Sequence, residues 1–475
     1  MAYLLASQVL SAASGFAATA ILARRLGPDD FGRFYLSLTV GILLAQFLDF
    51  GLSRTLVTQL TDTVQAARRG DYARAGLRIR LAAGVVPIAV LAAPALYPPS
   101  NVFVLPFLLG SVLGLVMGVQ LLMSTFLQVE HRFRQMSLAT AAQGPARLLG
   151  VGFLLAATAA NASTASVAFI CAALVSLLVT AYRAPRWPTE GNMIAERSPY
   201  RALLQAGGWL VVAAVFEVAY QRLDLFGLSL SATAREVGLY SATLTLILPI
   251  MFIPAAVNLV VYPSIARAVA EGRLAEVRRT YLRSTELIGF VAFPLLGLLA
   301  WDFPELVVVL LGPRYTSALP ILLALLPYAA LLSIHFNSGS VFLAFGRPDL
   351  IARVTFAAMV TGVVGVVLLI PAFGGVGAAL AMSAAALASL VYSWFEVRRV
   401  LGVGPPLRTV LVLLVFAMAS PVLPRVLVHG GTPLVMIVTH GVFAMGLFLG
   451  LSGLLLRRQV REAWTGLRPL RAVEN

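Results

Sequence analysis

Long apolar stretches alternate with short polar stretches along nearly the whole chain. A helix that crosses a membrane needs about 20 consecutive apolar residues, because the hydrocarbon core of a bilayer is about 30 Å thick. About fourteen stretches reach this length, at residues 3–22, 34–60, 79–97, 102–128, 137–160, 164–182, 202–229, 237–261, 284–301, 318–345, 350–371, 376–397, 408–428 and 433–456. The pattern predicts an all-α polytopic membrane protein with about fourteen transmembrane helices, numbered here as spans one to fourteen.

The composition supports this class and excludes others. Hydrophobic residues make up 60% of the chain and charged residues 12%, whereas a soluble domain averages about 25% charged residues. The single cysteine, Cys171, excludes an internal disulfide framework and a cysteine-cluster metal site. No metal or cofactor site is predicted, and a nucleic-acid partner is not expected, because a net charge of +15 in such a chain reflects the loops between the spans.

The distribution of arginine among these loops predicts the topology. All 35 basic residues are arginine, and about 26 of them lie after even-numbered spans or in the C-terminal tail. About six lie after odd-numbered spans. Basic loops stay in the cytoplasm, so both termini are predicted to be cytoplasmic. The first apolar stretch lacks the basic start and the short apolar core of a signal peptide, and we interpret it as span one.

Two halves of the chain resemble each other. The segment "DFGRFYLSL" (30–38) aligns with "EVGLYSATL" (236–244), so that Gly32 matches Gly238. Further matches keep the same order, and a six-span repeat returns the chain to the same side of the membrane. The two halves are therefore predicted to be parallel repeats. The predicted organisation is an N-terminal lobe, a cytoplasmic linker, a C-terminal lobe, and two extra spans with a basic tail, at residues 1–182, 183–201, 202–400 and 401–475.

Six ionised side chains interrupt the predicted spans: Asp49, Arg54, Arg147, Glu217, Arg222 and Asp224. Each would cost about 3 kcal/mol at the bilayer centre. Together they would cost about 18 kcal/mol, which exceeds the net stability of a typical domain, about 5–15 kcal/mol. Most of them must therefore pair, reach the interface or line a water-filled cavity.

Span seven carries three of these charges. At about 100° per residue, Glu217, Tyr220, Gln221 and Asp224 fall on one face of a continuous helix, with Arg222 near its flank. One polar face on an apolar helix favours a position beside a wet cavity. The alternative is that Arg222 and Asp224 only reach out to the nearby interface.

Arginines are predicted at several depths of the membrane. Such a cavity would attract an anion, and the planar guanidinium suits phosphate because it bonds two oxygens at once. Arg24 and Arg25, at the end of span one, could instead serve as ordinary anchors at the membrane interface. Pro145, close to Arg147, could instead form a purely structural kink. The candidate residues are Arg24, Arg25, Arg54, Arg147 and Arg222.

Several short motifs carry a family resemblance. "ARRLGPDDFG" (23–32) and "DFGL" (49–52), followed by "YQRLDLFGLS" (220–229) and "LLGPRYTSALPILLAL" (310–325), are similar to stretches of the polysaccharide flippases. These O-antigen flippase-like proteins form the polysaccharide-transporter branch of the multidrug/oligosaccharidyl-lipid/polysaccharide exporter superfamily. The resemblance covers residues 20–400 or so. Relatives usually carry a longer basic leader, which leaves open whether Met1 is the true start.

The resemblance implies a fold and a function. The expected fold is two six-helix lobes around a central cavity that opens alternately to each side of the bacterial cytoplasmic membrane. The expected substrate is a lipid-linked glycan, usually linked through undecaprenyl diphosphate. Membrane lipids and glycan-assembly proteins are the expected partners of a monomer, and a gradient of H⁺ or Na⁺ is the expected energy source.

The resemblance also ranks the candidate residues. Arg24, Arg25 and Arg222 match its motifs and are expected to face the substrate, whereas Arg54 and Arg147 rest on their positions within spans. The candidates for coupling to a cation are Asp49, Glu217 and Asp224.

Three other functions remain open. A multidrug/cation antiporter of the same superfamily should line its cavity with acidic and aromatic residues, but here buried arginine is as plentiful as buried acid. A lipid II flippase would share the fold and a related substrate. A membrane glycosyltransferase or polymerase would need a large external loop, and the loop around "PDDF" (28–31) is short.

Overall fold

The computed structural model describes residues 2–49, 53, 74–78, 104–184, 220–427 and 432–455. These residues form helices joined by short turns, and none of them lies in a strand. They belong to two compact units, Met1–Ser241 and Ala242–Asn475. The prediction of an all-α membrane protein is confirmed.

The first unit contains five helices and the beginning of a sixth among its described residues. They are α1 (Ala2–Asp49), α2 (Val104–Val129), α3 (Phe133–Ala156), α4 (Ala162–Arg183), α5 (Leu223–Ser231) and the start of α6 (Ala234–Ala270). The boundary between the two units falls within α6, after Ser241.

Helix α1 contains predicted span one and the first part of span two, residues 34–49. Its 48 residues would measure about 72 Å if straight, more than twice the thickness of the hydrocarbon core. The helix is broken at Gly27, where φ is 76° and ψ is 171°, and Pro28 follows inside it. Glycine adopts a positive φ without a steric penalty, and proline cannot donate the next helical hydrogen bond. The break therefore separates span one from span two.

The second unit continues with eight further helices and one 3-10 helix in its described part. They are α7 (Leu274–Trp301), α8 (Phe303–Leu310), the 3-10 helix Pro313–Ala318, α9 (Leu319–His335), α10 (Ser338–Ala344), α11 (Pro348–Leu401), α12 (Leu407–Ala419), α13 (Val422–Leu427) and α14 (Pro433–Leu455). Helix α11, of 54 residues, is broken at a glycine as α1 is, because Gly374 has a φ of 53°. It contains spans eleven and twelve.

The described residues include ten helical segments that are long and apolar enough to cross a membrane. Two of them, α1 and α11, each contain residues of two predicted spans. Span three lies outside the described residues, as do residues 202–219 of span seven. The count of fourteen and the lobe boundaries therefore stay predictions.

Small residues let α2 pack closely on the second half of α1. Gly110, Gly114 and Gly118 recur every four residues along one face of α2. A Cβ atom at Gly110 would lie 2.6 Å from the carbonyl oxygen of Ser37, and one at Gly118 would lie 2.9 Å from the side chain of Leu48. This spacing of small residues brings helix backbones together in membranes, where packing rather than the hydrophobic effect drives association.

Candidate substrate-binding site

Arg147 lies on α3 within the first unit, where three helices meet. Its guanidinium lies over the ring of Phe169 from α4, with 5.4 Å between the guanidinium carbon and the ring centroid. A Cβ atom at Gly15 of α1 would come within 3.0 Å of its Nη1. The Nε atom is buried and has no hydrogen-bond partner among the described residues. In the described part of the chain, this cation thus contacts an aromatic ring and a glycine and forms no ion pair with a carboxylate.

The local sequence explains how α3 brings Arg147 so close to α1. A Cβ atom at Gly144 would lie 2.8 Å from Ser14 Oγ, so glycines on both helices face the contact. Ser14 Oγ donates a hydrogen bond to the carbonyl oxygen of Leu10, at 2.7 Å. Pro145 lies inside α3 and removes one helical hydrogen bond two residues before Arg147. Phe169 is itself held edge-on by Phe34, at 5.0 Å between centroids.

Arg24 and Arg25 are exposed near the end of the first half of α1. Nine residues along a helix correspond to about 14 Å, which is the distance along α1 from Gly15 to Arg24. The structure therefore places these arginines and Arg147 at different heights beside one helix. It does not bring them together into one cluster. Their role as substrate ligands stays a prediction.

Asp49 lies at the other end of α1, in a cluster of oxygen atoms. Ser53 Oγ donates to its Oδ1 at 2.5 Å, and Thr125 Oγ1 of α2 lies 2.9 Å from the same Ser53 oxygen. The Asp49 side chain is half-buried. Arg54 follows Ser53 in the sequence and lies outside the described residues.

The polar stretch of span seven is not one continuous helix. The chain leaves the helical conformation at Arg222, where φ is −137° and ψ is 18°, and α5 begins at the next residue. The count of 100° per residue therefore does not extend across Arg222, and the prediction of one polar face through Asp224 is wrong. Arg222 is half-buried, and its Nε has no hydrogen-bond partner in the described part of the chain. Glu217 lies outside the described residues.

Asp224 is buried in a packed corner, with 3% of its surface exposed. Its Oδ1 accepts a hydrogen bond from the backbone N–H of Leu225 at 2.8 Å, and its Oδ2 accepts one from the hydroxyl of Tyr240 at 2.5 Å. Both carboxyl oxygens are thus engaged. This geometry gives Asp224 a part in joining α5 to α6.

The two glycines that the internal repeat aligns lie in contact within the first unit. A Cβ atom at Gly32 would collide with the carbonyl oxygen of Ala234 and lie 2.7 Å from the backbone nitrogen of Gly238. A Cβ atom at Gly238 would collide with the carbonyl oxygen of Pro28. The corners 28–32 and 234–238 therefore approach each other backbone to backbone, which only glycine permits.

A cleft of about 450 Å³ in the first unit, with a mixed apolar and polar lining, did not follow from the sequence. Its lining includes Asp30, Arg33, Asn161 and Thr164. Arg33 pairs with Asp30 at 3.4 Å, and Asn161 caps α4 by accepting a hydrogen bond from the Thr164 backbone at 2.9 Å. The sequence signal that could have indicated this cleft is the capping pattern of Asn161 and Thr164.

The second unit contains an ion-pair network at the end of α7, which the sequence did not reveal. Arg425 of α13 donates to Asp302 Oδ1 and to Glu305 Oε1, both at 3.2 Å. His440 of α14 lies 2.7 Å from the same Asp302 oxygen. Asp302 and His440 are almost fully buried. We call these four residues the Arg425 network. It ties the last two helices to α7 and α8.

His335, the other histidine within a predicted span, lies 3.0 Å from Ser393 Oγ, through its Nδ1 atom. Among the described residues, no group of three or more histidine, cysteine, aspartate or glutamate side chains could hold a metal ion.

Known proteins with a similar sequence or fold agree with the family resemblance. The family model described as "Polysaccharide biosynthesis protein" matches residues 21–320. The "Probable low-salt glycan biosynthesis flippase Agl15" of Haloferax volcanii is 22% identical over 394 residues, covering 79% of this chain and 78% of that protein. The "Putative O-antigen transporter" of Shigella flexneri is 23% identical over 399 residues, covering 79% of this chain and 92% of that protein.

The fold has a close counterpart among solved structures. The lipid II flippase MurJ, in an inward closed conformation, matches with a TM-score of 0.81. The match covers 97% of this chain and all of that chain, at 10% sequence identity. An identity this low shows a shared fold and nothing about substrates. The family model spans well over half of the chain, and the chain therefore belongs to the polysaccharide biosynthesis protein family.

Proposed function

We propose that the protein moves a lipid-linked glycan, with an undecaprenyl-diphosphate-type carrier, across the bacterial cytoplasmic membrane. Its relatives are named as a glycan biosynthesis flippase and an O-antigen transporter, and the protein is a transporter of this class rather than an enzyme. We further propose that both termini are cytoplasmic, and that the protein acts as a monomer supplied by glycan-assembly proteins.

The surroundings of Arg147 are the main support for an anionic substrate. A guanidinium inside a membrane protein is costly unless an anion accompanies it. Phe169 and Gly15 surround Arg147 without supplying one, and no carboxylate in the described part of the chain forms an ion pair with it. A diphosphate head group would supply the missing charge, and the guanidinium fork bonds phosphate oxygens in pairs.

The contact between Gly32 and Gly238 supports the proposal of alternating access. Both corners follow odd-numbered spans, on the side that the arginine distribution predicts to be external. Contact between them would close that side while the substrate enters from the other. Separation of the same corners would release the glycan outward, and a backbone contact without interlocking side chains can form and break with little repacking.

Asp49 is the better described candidate for coupling to a cation. Its carboxylate lies beside the hydroxyl of Ser53, which in turn lies beside that of Thr125. Such oxygen atoms suit Na⁺ as hard ligands, and the carboxylate alone could exchange a proton. Asp224 is less suited, because Tyr240 and the Leu225 backbone already occupy both of its oxygens.

The substrate is tested by depleting the protein in its own host and measuring where lipid-linked glycans accumulate. Accumulation of undecaprenyl-linked oligosaccharide in the inner leaflet is expected, with rescue by the wild type but not by Arg147→Gln. Arg134→Gln is the matched control, because Arg134 is an exposed arginine on the same helix. Accumulation of lipid II would instead favour a lipid II flippase. Unchanged glycans with raised sensitivity to cationic drugs would favour an antiporter.

Coupling is tested separately in inverted membrane vesicles. Transport of the labelled glycan lipid should respond to an imposed gradient of either H⁺ or Na⁺, and Asp49→Asn should abolish that response while leaving slow exchange without a gradient. If Asp49→Asn responds as the wild type does, Asp49 is not the coupling residue.

A further inference from the structure

A second cluster of arginines lies in the second unit, away from the proposed substrate ligands in the sequence. The end of α10 and both ends of α11 surround a cavity of about 570 Å³. We call it the arginine pocket. It is lined by Phe345, Arg347, Arg353, Glu396, Arg399 and Val400.

The arginines of this pocket are held in place without being fully neutralised. Arg347 donates to both oxygens of Asp349, at 2.9 Å each, and Arg353 lies 3.6 Å from the same carboxylate. Arg399 donates to Glu396 at 2.9 Å. The three guanidinium groups at the cavity pair with two carboxylates, those of Asp349 and Glu396. A positive charge remains to attract an anion.

The ion pairs with these carboxylates also leave the guanidinium groups exposed to solvent. The Glu396 side chain is 10% exposed, whereas that of its partner Arg399 is 76% exposed. The side chains of Arg347 and Arg353 are 49% and 59% exposed. A buried acid that anchors an exposed arginine leaves the outer N–H groups of that arginine free of competition. Such groups suit a phosphate, which accepts several hydrogen bonds at once.

Apolar stripes run along both halves of α11 towards these arginines. Exposed side chains follow Arg353 at helical spacing: Phe356, Val360, Val363, Val364, Val367 and Leu368. A second stripe leads to Arg399 in steps of four residues: Leu387, Val391 and Phe395. A wet cavity would be lined by polar side chains, so these apolar stripes suit acyl chains.

We propose that the arginine pocket binds the phosphate of an anionic phospholipid of the bilayer, whose acyl chains lie along the two stripes of α11. The combination of a basic pocket at helix ends and apolar stripes beneath it matches a phospholipid in both charge and length. The loops after spans ten and twelve are predicted to be cytoplasmic, so the lipid belongs to the inner leaflet. This site is independent of the proposed transport function.

The test uses the purified full-length protein in detergent and native mass spectrometry. Phosphatidylglycerol and phosphatidylcholine with identical acyl chains are titrated in parallel. We expect phosphatidylglycerol to bind about tenfold more tightly, because its head group has a net negative charge whereas choline cancels that of phosphatidylcholine. The double variant Arg353→Gln/Arg399→Gln should lose that preference. Arg279→Gln, an exposed arginine on α7, should bind as the wild type does.

Several outcomes would overturn the proposal. Equal binding of the two lipids, or a preference that survives the double variant, would show that the arginine pocket does not select an anionic phospholipid. Displacement of phosphatidylglycerol by millimolar inorganic phosphate would make it a general anion site. Tighter binding of undecaprenyl diphosphate, lost in the double variant, would make it a site for the transported lipid. A thermal melt of each variant verifies that it is folded.

Discussion

Two half-buried arginines in this protein have opposite surroundings. Arg147, in the first unit, rests on the ring of Phe169 with its Nε unpaired among the described residues. Arg425, in the second unit, donates to Asp302, to Glu305 and to the carbonyl oxygen of Trp301. Both lie in helices of a membrane protein, where an isolated charge is costly. Among the described residues, only Arg425 has carboxylate partners.

We expect this difference to separate a structural arginine from one that binds the substrate. The charge of Arg425 is neutralised within the fold, so that its energetic contribution appears as docking of α13 and α14 on α7. The charge of Arg147 lacks a described partner, so its contribution should appear when an anionic ligand arrives. A cationic side chain in a membrane helix therefore has to be judged by its neighbours.

The largest expected effect is on stability, from Arg425→Ala. This change leaves Asp302 and Glu305 as poorly solvated carboxylates without their cation, and breaking a buried pair costs about 3 kcal/mol. The free energy of unfolding should fall by about that amount, measured by thermal or denaturant unfolding in detergent. Arg408→Ala, at an exposed arginine of α12, should leave it unchanged. An equal free energy of unfolding for Arg425→Ala and the wild type would contradict a structural role for Arg425.

The next effect is on transport, from Arg147→Gln. Loss of one charge-assisted hydrogen bond to a phosphate costs about 2 kcal/mol, which corresponds to about a 30-fold lower rate in a vesicle flipping assay. The free energy of unfolding should stay near that of the wild type, because no carboxylate among the described residues loses its partner. Arg147→Lys should retain part of the rate. A stable variant that transports normally would place Arg147 with the structural arginines.

A smaller change in stability is expected from Asp302→Asn. The amide keeps the shape and the acceptor of the carboxylate, and Arg425 retains Glu305, so the free energy of unfolding should fall by about 1 kcal/mol. Arg425→Ala should cost less in this background than in the wild type. Strict additivity of the two changes in a double-mutant cycle would show that the two residues do not interact.

The smallest effect is expected from Phe169→Leu. The leucine fills much of the space but removes the ring face, and a cation–π contact is worth about 0.5–1 kcal/mol. Transport should fall about two- to fivefold in the same flipping assay. Phe153→Leu is the control, since Phe153 is an exposed aromatic residue of α3. A loss as large as that of Arg147→Gln would mean that Phe169 does more than position the guanidinium.

Several features followed from the sequence because they depend on local properties. The apolar stretches predicted the helices, since a span needs only length and hydrophobicity. The break at Gly27 and Pro28 lies between the apolar stretches of spans one and two, and both residues act on their own backbone. The motifs in 23–32 and 220–229 predicted the family, which the match over residues 21–320 confirms.

The tertiary structure alone decided which charges meet. Arg425 and Asp302 are more than a hundred positions apart, and the sequence marks neither as the partner of the other. The prediction of one polar face on span seven was wrong because the chain leaves the helical conformation at Arg222. Asp224 instead accepts a hydrogen bond from Tyr240. The apolar pattern of a sequence depends on the exposure of each helix to lipid. The partner of a charged side chain depends instead on which helices pack against each other. The sequence by itself therefore determined the class, the helices and the family, and only the packing of those helices separated Arg147 from Arg425.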